Sequence, residues 1–358
     1  MIILWFRQLR NKFGEHEPVH RMVRVLSYIV LIAIGFVIFF KFTEGASWQE
    51  SAWQMWQTAT TVGYGNAPAE TLGGRIVTVL AGTLGIAFVG VAISGAFDVK
   101  NYFRERKRVG MAPNNTSDGY VLINWPGKEN FRVLVEQLRA VEPEVGICVV
   151  DDRIEELPPA VQAEFSNLHF VRGSALNRET WEQAGIPDSK AVIVFPLDRA
   201  SADSDGTTKT IINLLSGYCG ENTRLMYVLV DPSNKWMFEG ENATDVWQNM
   251  EMLTVVQECH DRFSAAILER MLSNTEGANP RTVQPRKVVG WTWGEFYNAL
   301  RNTAERAQVR ISPLALVHDG VGETCPDWHQ RIEEGDTLAL VAYPGFDWEE
   351  FEQQMEKT

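Results

Sequence analysis

The chain has 358 residues, 45% of them hydrophobic and 22% charged, with a formal net charge of −13. The length predicts two or three domains, the composition excludes a disordered chain, and the acidity excludes a general nucleic-acid binder. Four cysteines, Cys148, Cys219, Cys259 and Cys325, form no CxxC pair, which excludes a disulfide framework, a zinc ribbon and a thioredoxin-type motif. The average hides two unlike parts. Residues 1–117 hold 12 Lys and Arg against 7 Asp and Glu, a net of +5, and residues 118–358 carry −18.

Residues 1–24 read as a basic N-terminal segment. Within it Ile2 to Phe6 is apolar and precedes Arg7, Arg10 and Lys12, the pattern of an interfacial helix or of a frayed end. Val25 to Phe40 follows without a charge. As a helix it covers roughly 24 Å, and it reaches across a ~30 Å hydrocarbon core when Arg24 and Lys41 snorkel to the two interfaces. The run begins far from the N-terminus, and Lys41-Phe42 stands where a signal peptide would have a small-residue cleavage site, so a permanent helix is expected. A second uncharged run, Ile76 to Phe97, spans unaided. Arg21 and Arg24 precede the pair, and Lys100, Arg104, Arg106, Lys107 and Arg108 follow it, whereas residues 42–73 between the runs carry Glu44, Glu50 and Glu70 and no Lys or Arg. The positive-inside rule puts both termini in the cytoplasm and the loop outside, in a multi-pass protein of the inner (plasma) membrane. Neither run has a basic residue at every third position, so neither is a voltage-sensing helix.

The loop carries the chemistry. Trp48 to Thr60 suits a short helix, and Thr61-Val62-Gly63-Tyr64-Gly65 comes next. This string is recognised, rather than deduced, as a potassium selectivity filter. The residue types still have a physical reason. A dehydrated cation needs rings of oxygen ligands, here the carbonyls of Thr61, Val62, Gly63 and Tyr64. Turning successive carbonyls toward one axis requires left-handed backbone, which Gly63 and Gly65 adopt without a Cβ penalty. The short helix points its partially negative end at the filter, which favours cations there.

Span, short helix, filter and span together resemble the pore of the two-transmembrane potassium channels. The resemblance implies a homotetramer around a central axis, with potassium ions as the bound species and membrane lipid as the surround. Gln57 and Asn66 stand where many members of that family have Glu and Asp behind the filter. An amide pair still hydrogen-bonds, but it holds no titrating proton. Trp53 followed by Gln54 replaces a frequent Trp pair, so the packing around Tyr64 is expected to differ. In the second span, Gly85 matches the family's inner-helix hinge by its offset from the filter and Gly90 lies where it shares the bend; close packing is the alternative for both.

Residues 98–117 read as a polar linker. An alternation of short apolar runs and helical segments follows: strands at Tyr120–Ile123, Gly146–Val150, Leu168–Val171, Ala191–Phe195 and Leu225–Val230, with helices at Phe131–Leu138, Arg178–Ala184 and Thr208–Cys219. This predicts a parallel, Rossmann-like sheet. Order and spacing resemble the regulator of potassium conductance (RCK) domain, with residues 118–275 as its α/β subdomain and 276–358 as a small α+β C-terminal subdomain. The expected fold is thus a membrane all-α pore over residues 25–97 joined to an RCK domain, as in the calcium-gated potassium channels.

The regulatory ligand is less legible. The turn after the first strand, Asn124-Trp125-Pro126-Gly127, keeps none of the three fingerprint glycines of a dinucleotide site, although Gly127 sits in the turn and Asp151 or Asp152 ends the second strand where a ribose would bind. Of the positions that hold calcium in relatives only Asp231 is acidic, while Phe195 and Leu229 occupy the others, and Asp198, Asp203 and Asp205 read as a solvated acidic stretch. His260, His318 and His329 have no ligand spacing. The candidate regulatory set is therefore Asp151, Asp152, Asp231 and Gly127, for a divalent cation or an adenine nucleotide. Met111, in the linker, is placed to start soluble RCK copies that complete a gating ring. The expected function is a ligand-gated, potassium-selective channel and not an enzyme. A non-conducting, membrane-anchored nucleotide sensor is the alternative, and a tethered NAD-dependent oxidoreductase is a weaker one.

Overall fold

A computed structural model describes residues 17–356, apart from Ala67, Glu221 and residues 247–249. The apolar stretch Ile2 to Phe6 lies outside the described residues. The chain forms two compact units, Met1–Ala112 and Pro113–Thr358.

The first unit holds α1 (Glu17–Glu44), α2 (Trp48–Ala59) and α3 (Leu72–Arg108). Helices α1 and α3 are long and apolar enough to cross a bilayer. Both outrun the uncharged stretches, because helical hydrogen bonding continues through the flanking Arg and Lys once those side chains reach water. The 37-residue α3 takes in the basic run up to Arg108, so only residues 109–117 of the expected linker are irregular. Phe36 and Phe40 are buried and stack at 5.5 Å, yet Leu31, Ile34, Val79, Leu80, Ile86 and Ile93 lie open. So large an apolar surface suits lipid or neighbouring helices and not water. Helix α2 starts in a capping box: Ser47 Oγ accepts from Glu50 N–H, and the Glu50 carboxylate accepts from Ser47 N–H.

The second unit contains a six-stranded parallel sheet in the order β3-β2-β1-β4-β5-β6, built from β1 (Tyr120–Ile123), β2 (Ile147–Val150), β3 (Leu168–Val171), β4 (Ala191–Val194), β5 (Arg224–Tyr227) and β6 (Thr244–Asp245). Helices α4 (Lys128–Val141), α5 (Pro159–Glu164), α6 (Arg178–Ala184) and α7 (Ser204–Ser216) connect successive strands. β1 and β2 are buried throughout because both faces are covered: Val121, Ile123, Cys148 and Val150 point into one apolar cluster, Leu122, Ile147 and Val149 into another. Burial pushes the Cys148 thiol up to about 12, which makes it inert packing. The order reverses between β1 and β4, the usual switch point of a doubly wound sheet.

Helices α8 (Met250–His260) and α9 (Ser264–Leu272) follow, and among their described residues none is buried. A smaller antiparallel sheet closes the unit, in the order β7-β10-β8-β9, from β7 (Asn279–Val283), β8 (Ile311–His318), β9 (Val321–Thr324) and β10 (Thr337–Ala342). Helices α10 (Trp293–Ala307) and α11 (Trp348–Gln353) pack on it through Trp293, Phe296, Leu300, Trp348 and Phe351. The Rossmann-like sheet and the α+β lobe are those the sequence predicts. The two-residue edge strand β6 and the helix pair α8–α9 were not legible, since one is too short for periodicity and the other has no buried face.

Candidate functional site

The filter begins where α2 ends. Thr61, Gly63 and Gly65 have φ of 60°, 54° and 69°, while Val62 and Tyr64 between them do not take positive values. Alternation of left-handed and ordinary residues turns successive carbonyls toward one side, where an extended strand would alternate them. Gly63 and Gly65 meet this as expected. Thr61 also lies in the left-handed region, which its β-branched side chain resists; sequence reasoning assigned Thr61 as a ligand but did not foresee this conformation.

Gln57 organises the strand from behind. Its Oε1 accepts from Tyr64 N–H at 3.1 Å, and its backbone carbonyl accepts from Gly63 N–H at 3.2 Å. Its Nε2 donates to Asn66 Oδ1 at 3.2 Å and to Gln54 Oε1 at 2.5 Å. The amide pair expected from the sequence is formed, and Gln54 extends it to three. That third partner was not foreseen, though its i, i+3 spacing from Gln57 on a helix is the signal that would have found it. Gln54 and Gln57 are both buried, so these hydrogen bonds fix their side chains. Trp53 stacks parallel on Tyr64 at 6.0 Å and on Trp56 at 5.1 Å. Of the separated Trp53/Trp56 pair, Trp53 thus lies on Tyr64 and Trp56 backs Trp53.

Of the inner-helix glycines, Gly85 faces the end of α2: a Cβ there would lie 3.3 Å from Ala59 Cα and 3.5 Å from Ala59 O. Gly85 thus packs closely on the end of α2, where a side chain would crowd Ala59. Gly90 has open space around it, and α3 is helical through both.

In the second unit the candidate regulatory residues sit at the C-terminal ends of the strands, but they do not converge. From β2, which ends before Asp151, to β5, which precedes Asp231, is three strand steps, about 14 Å at the usual strand spacing. One ion cannot bridge them. Asp151 is buried and fully engaged: Oδ2 accepts from Trp125 N–H at 2.7 Å and Arg153 Nη2 at 2.8 Å, and Oδ1 accepts from Arg153 N–H at 2.7 Å and Arg153 Nε at 3.2 Å. Burial pushes its carboxyl up, but the Arg153 guanidinium and the two backbone N–H groups outweigh it and hold it below the ordinary carboxylate range. Arg153 also donates to the Leu197 carbonyl. At the switch point, Asn124 Nδ2 donates to Phe195 O at 2.7 Å and ties the end of β1 to that of β4. Gly127, at φ 88°, caps α4 without a side-chain hydrogen bond, and Asp152 is exposed. Asp231 caps the short helical turn after β5 by accepting from Ser233 N–H at 2.9 Å, which holds its carboxyl low.

One expectation is corrected. Asp205 is not part of a solvated stretch: it is fully buried and accepts from Val230 N–H, Asp231 N–H and Asn234 Nδ2 at 2.7, 3.0 and 2.9 Å. The helix start at Ser204, earlier than expected, carries it inward. His318, which has no ligand spacing, is paired: its Nδ1 lies 2.6 Å from the buried Asp336 and its Nε2 3.5 Å from Asp319. The hydrogen bond to Asp336, with the nearby Asp319 charge, raises its pKa. Among the described residues no group of three or more His, Cys, Asp and Glu is arranged to hold a metal ion.

Residues 25–99 match the Ion_trans_2 family, described as an ion channel. Among curated proteins the chain is 25% identical over 201 residues to the putative potassium channel protein YugO of Bacillus subtilis, covering 56% of this chain and 58% of that one. It is 22% identical over 340 residues to the calcium-gated potassium channel TvoK of Thermoplasma volcanium, covering 92% of each. Among solved structures, the GsuK channel aligns with a TM-score of 0.48 at 13% identity, over 92% of this chain and 58% of that one. The chain therefore spans a little under three fifths of YugO and of GsuK. Residues 25–99, which hold the two apolar helices, α2 and the Thr61–Gly65 string, are therefore similar to an ion-channel pore, and the chain is similar over most of its length to a potassium channel, with an RCK-like region after the pore.

Proposed function

We propose that this chain is one subunit of a homotetrameric, potassium-selective channel of the plasma membrane, with both termini cytoplasmic, whose pore is opened or closed by a ligand acting on the RCK-like region. One observation carries this reading: the backbone is left-handed at Thr61, Gly63 and Gly65 and braced by Gln57, the alternation that a strand needs to present the carbonyls of Thr61, Val62, Gly63 and Tyr64 to one axis. One strand gives one side of a cage. Dehydrated potassium needs oxygens from several, and cyclic symmetry supplies them from identical copies. The open apolar faces of α8 and α9, with Met252, Leu253, Val255, Val256 and Ile267 exposed, are surfaces that further copies would cover. Gating follows if a ligand binds two arrangements of the RCK-like regions unequally and the difference reaches α3 through residues 109–117, with Gly90 as the point free to bend.

The ligand class is narrowed by what the donors already do. An adenine dinucleotide does not fit the strand ends: the fingerprint glycines are missing, Asp151 is spent on Trp125 and Arg153, and Asn124 bridges the switch point. This also weighs against a nucleotide sensor and a tethered oxidoreductase. Neither candidate class has a cluster of free donors among the described residues, and the net charge of −18 on residues 118–358 is what favours a divalent cation over an adenine nucleotide.

Purified full-length protein in potassium-loaded liposomes tests conduction. Potassium flux is expected to exceed sodium flux at least about tenfold, a discrimination of 1.4 kcal/mol. Gly63→Ala is expected to abolish it, because a Cβ in the left-handed region costs about 1–2 kcal/mol and turns a carbonyl away. Equal potassium and sodium flux would overturn the proposal. Calcium, NAD(H), ADP or ATP, and pH varied on the RCK side then identify the effector.

A further inference from the structure

Helices α1 and α3 run antiparallel and meet at both ends. At one end a Cβ on Gly73 would lie 3.2 Å from Thr43 Cγ2, and at the other a Cβ on Gly95 would lie 3.8 Å from Met22 Cγ. Around the second contact the helices part and leave a groove of about 340 Å³.

The groove is graded from polar to apolar along the helices. Arg21 of α1 and Asp98 of α3 line its mouth. Both lie on the basic-flank side of the Met22–Gly95 contact, by roughly 2 and 5 Å at the helical rise. Val25, Leu26, Val91 and Ala92 line the other end. They lie roughly 4 to 6 Å beyond the contact in the opposite direction. All four belong to the uncharged runs Val25 to Phe40 and Ile76 to Phe97. The apolar end is thus at hydrocarbon depth, and the charged mouth is at the level of the headgroups. One phospholipid has the same gradient, with a charged head and an acyl chain beneath it.

The two charges select the head. The Arg21 guanidinium matches a phosphate, which every phospholipid has. Asp98 calls for a cation. It is exposed, and it is the one acidic residue of α3 before Glu105, in a stretch otherwise flanked by Lys100 and Arg104. A head with net negative charge would meet Asp98 with like charge, and a trimethylated ammonium has no N–H to donate. A primary ammonium donates three. We propose that the groove between α1 and α3 binds a zwitterionic phospholipid with a primary-amine head, its phosphate on Arg21, its ammonium on Asp98 and the start of a chain between the apolar walls. This rests on the membrane placement above and not on conduction.

The test uses the full-length protein, delipidated in detergent, with lipids added back and counted on the intact oligomer by native mass spectrometry. Phosphatidylethanolamine is expected to bind about tenfold more tightly than phosphatidylglycerol or phosphatidylcholine, as for one hydrogen bond to a charged group. Asp98→Asn, which keeps size and shape, should erase that preference. Arg21→Gln should weaken all three lipids alike. Ala92→Phe, which fills the apolar end, should weaken all three with both charges in place. Glycerophosphoethanolamine, the head without its chains, should fail to displace the lipid. Equal binding of the three lipids by the wild type would overturn the proposal, as would an unchanged preference in Asp98→Asn or displacement by the soluble head. A groove covered by a second copy of the chain would show as equal lipid binding with loss of the oligomer in Ala92→Phe, which also overturns it. A wild type that holds the amine lipid but passes no potassium counts against the conduction reading alone.

Discussion

Single side chains decide how protons reach the filter. Gln57 makes its hydrogen bonds to Tyr64, Asn66 and Gln54 without a titrating group. A Glu and Asp pair at 57 and 66 would share a proton, because two carboxylates a few ångströms apart cannot both ionise cheaply. Acidification on the loop side would then neutralise the pair and change its hold on Tyr64. The double substitution Gln57→Glu with Asn66→Asp is therefore expected to introduce a dependence of flux on loop-side pH, with apparent pKa above the usual carboxylate range, while the wild type stays nearly flat over the same span. Identical pH profiles for the two proteins would contradict this. The amide pair was legible in the sequence because the filter string fixes its own register. The bond of Asp151 to Trp125, the burial of Asp205 and the pairing of His318 with Asp336 were not, because each depends on a partner brought in from another part of the chain.

At the level of elements, what was legible followed burial. Strands β1 to β4 are apolar on both faces, and their positions could be read within a residue or so; the fifth is shorter than its apolar run, since Val228 and Leu229 pack into the core after the ladder has ended. The helix pair α8–α9 gave no such signal. The inner-helix glycines show the same limit: their offset from the filter suggests a shared bend, but only the packing separates them. Gly85 lies against Ala59 and Gly90 lies free. Gly85→Ala is expected to push the base of α2 by a few tenths of an ångström, at a cost of about 1–3 kcal/mol of overpacking, and to lower the yield of intact oligomer. Gly90→Ala meets no neighbour and stiffens a helix by up to about 1 kcal/mol, so it should leave assembly intact and shift the fraction of open channels. Oligomer yield by size exclusion and open fraction by bilayer recording separate the two. Equal effects of both on assembly would remove the distinction.

Across the whole chain, two solvents and two charges meet near one methionine. The first unit carries the basic flanks and apolar helices, and the second carries the acidic sheet domains, with the division at Ala112 and Pro113. Met111 lies two residues before that division, after α3 has ended at Arg108. Translation started there would yield the entire second unit with no membrane helix and with the exposed faces of α8 and α9 still needing cover. Such copies would add RCK-like regions to those tethered to the pore, and an even, closed ring would bury faces that a tethered set alone leaves open. Opposing this, every added copy brings a strongly acidic body, so the ring should hold together better at raised salt, where a Debye length of about 8 Å at physiological strength shrinks further. Met111→Leu removes the internal start and changes neither the filter nor α3. The wild type is expected to co-purify with a band of about 27 kDa, from roughly 110 Da per residue over residues 111–358. The variant should lose that band, keep the full-length one, and elute at smaller size. A band that persists in the variant would show that it arises by proteolysis, and the ring would then be built from tethered regions alone.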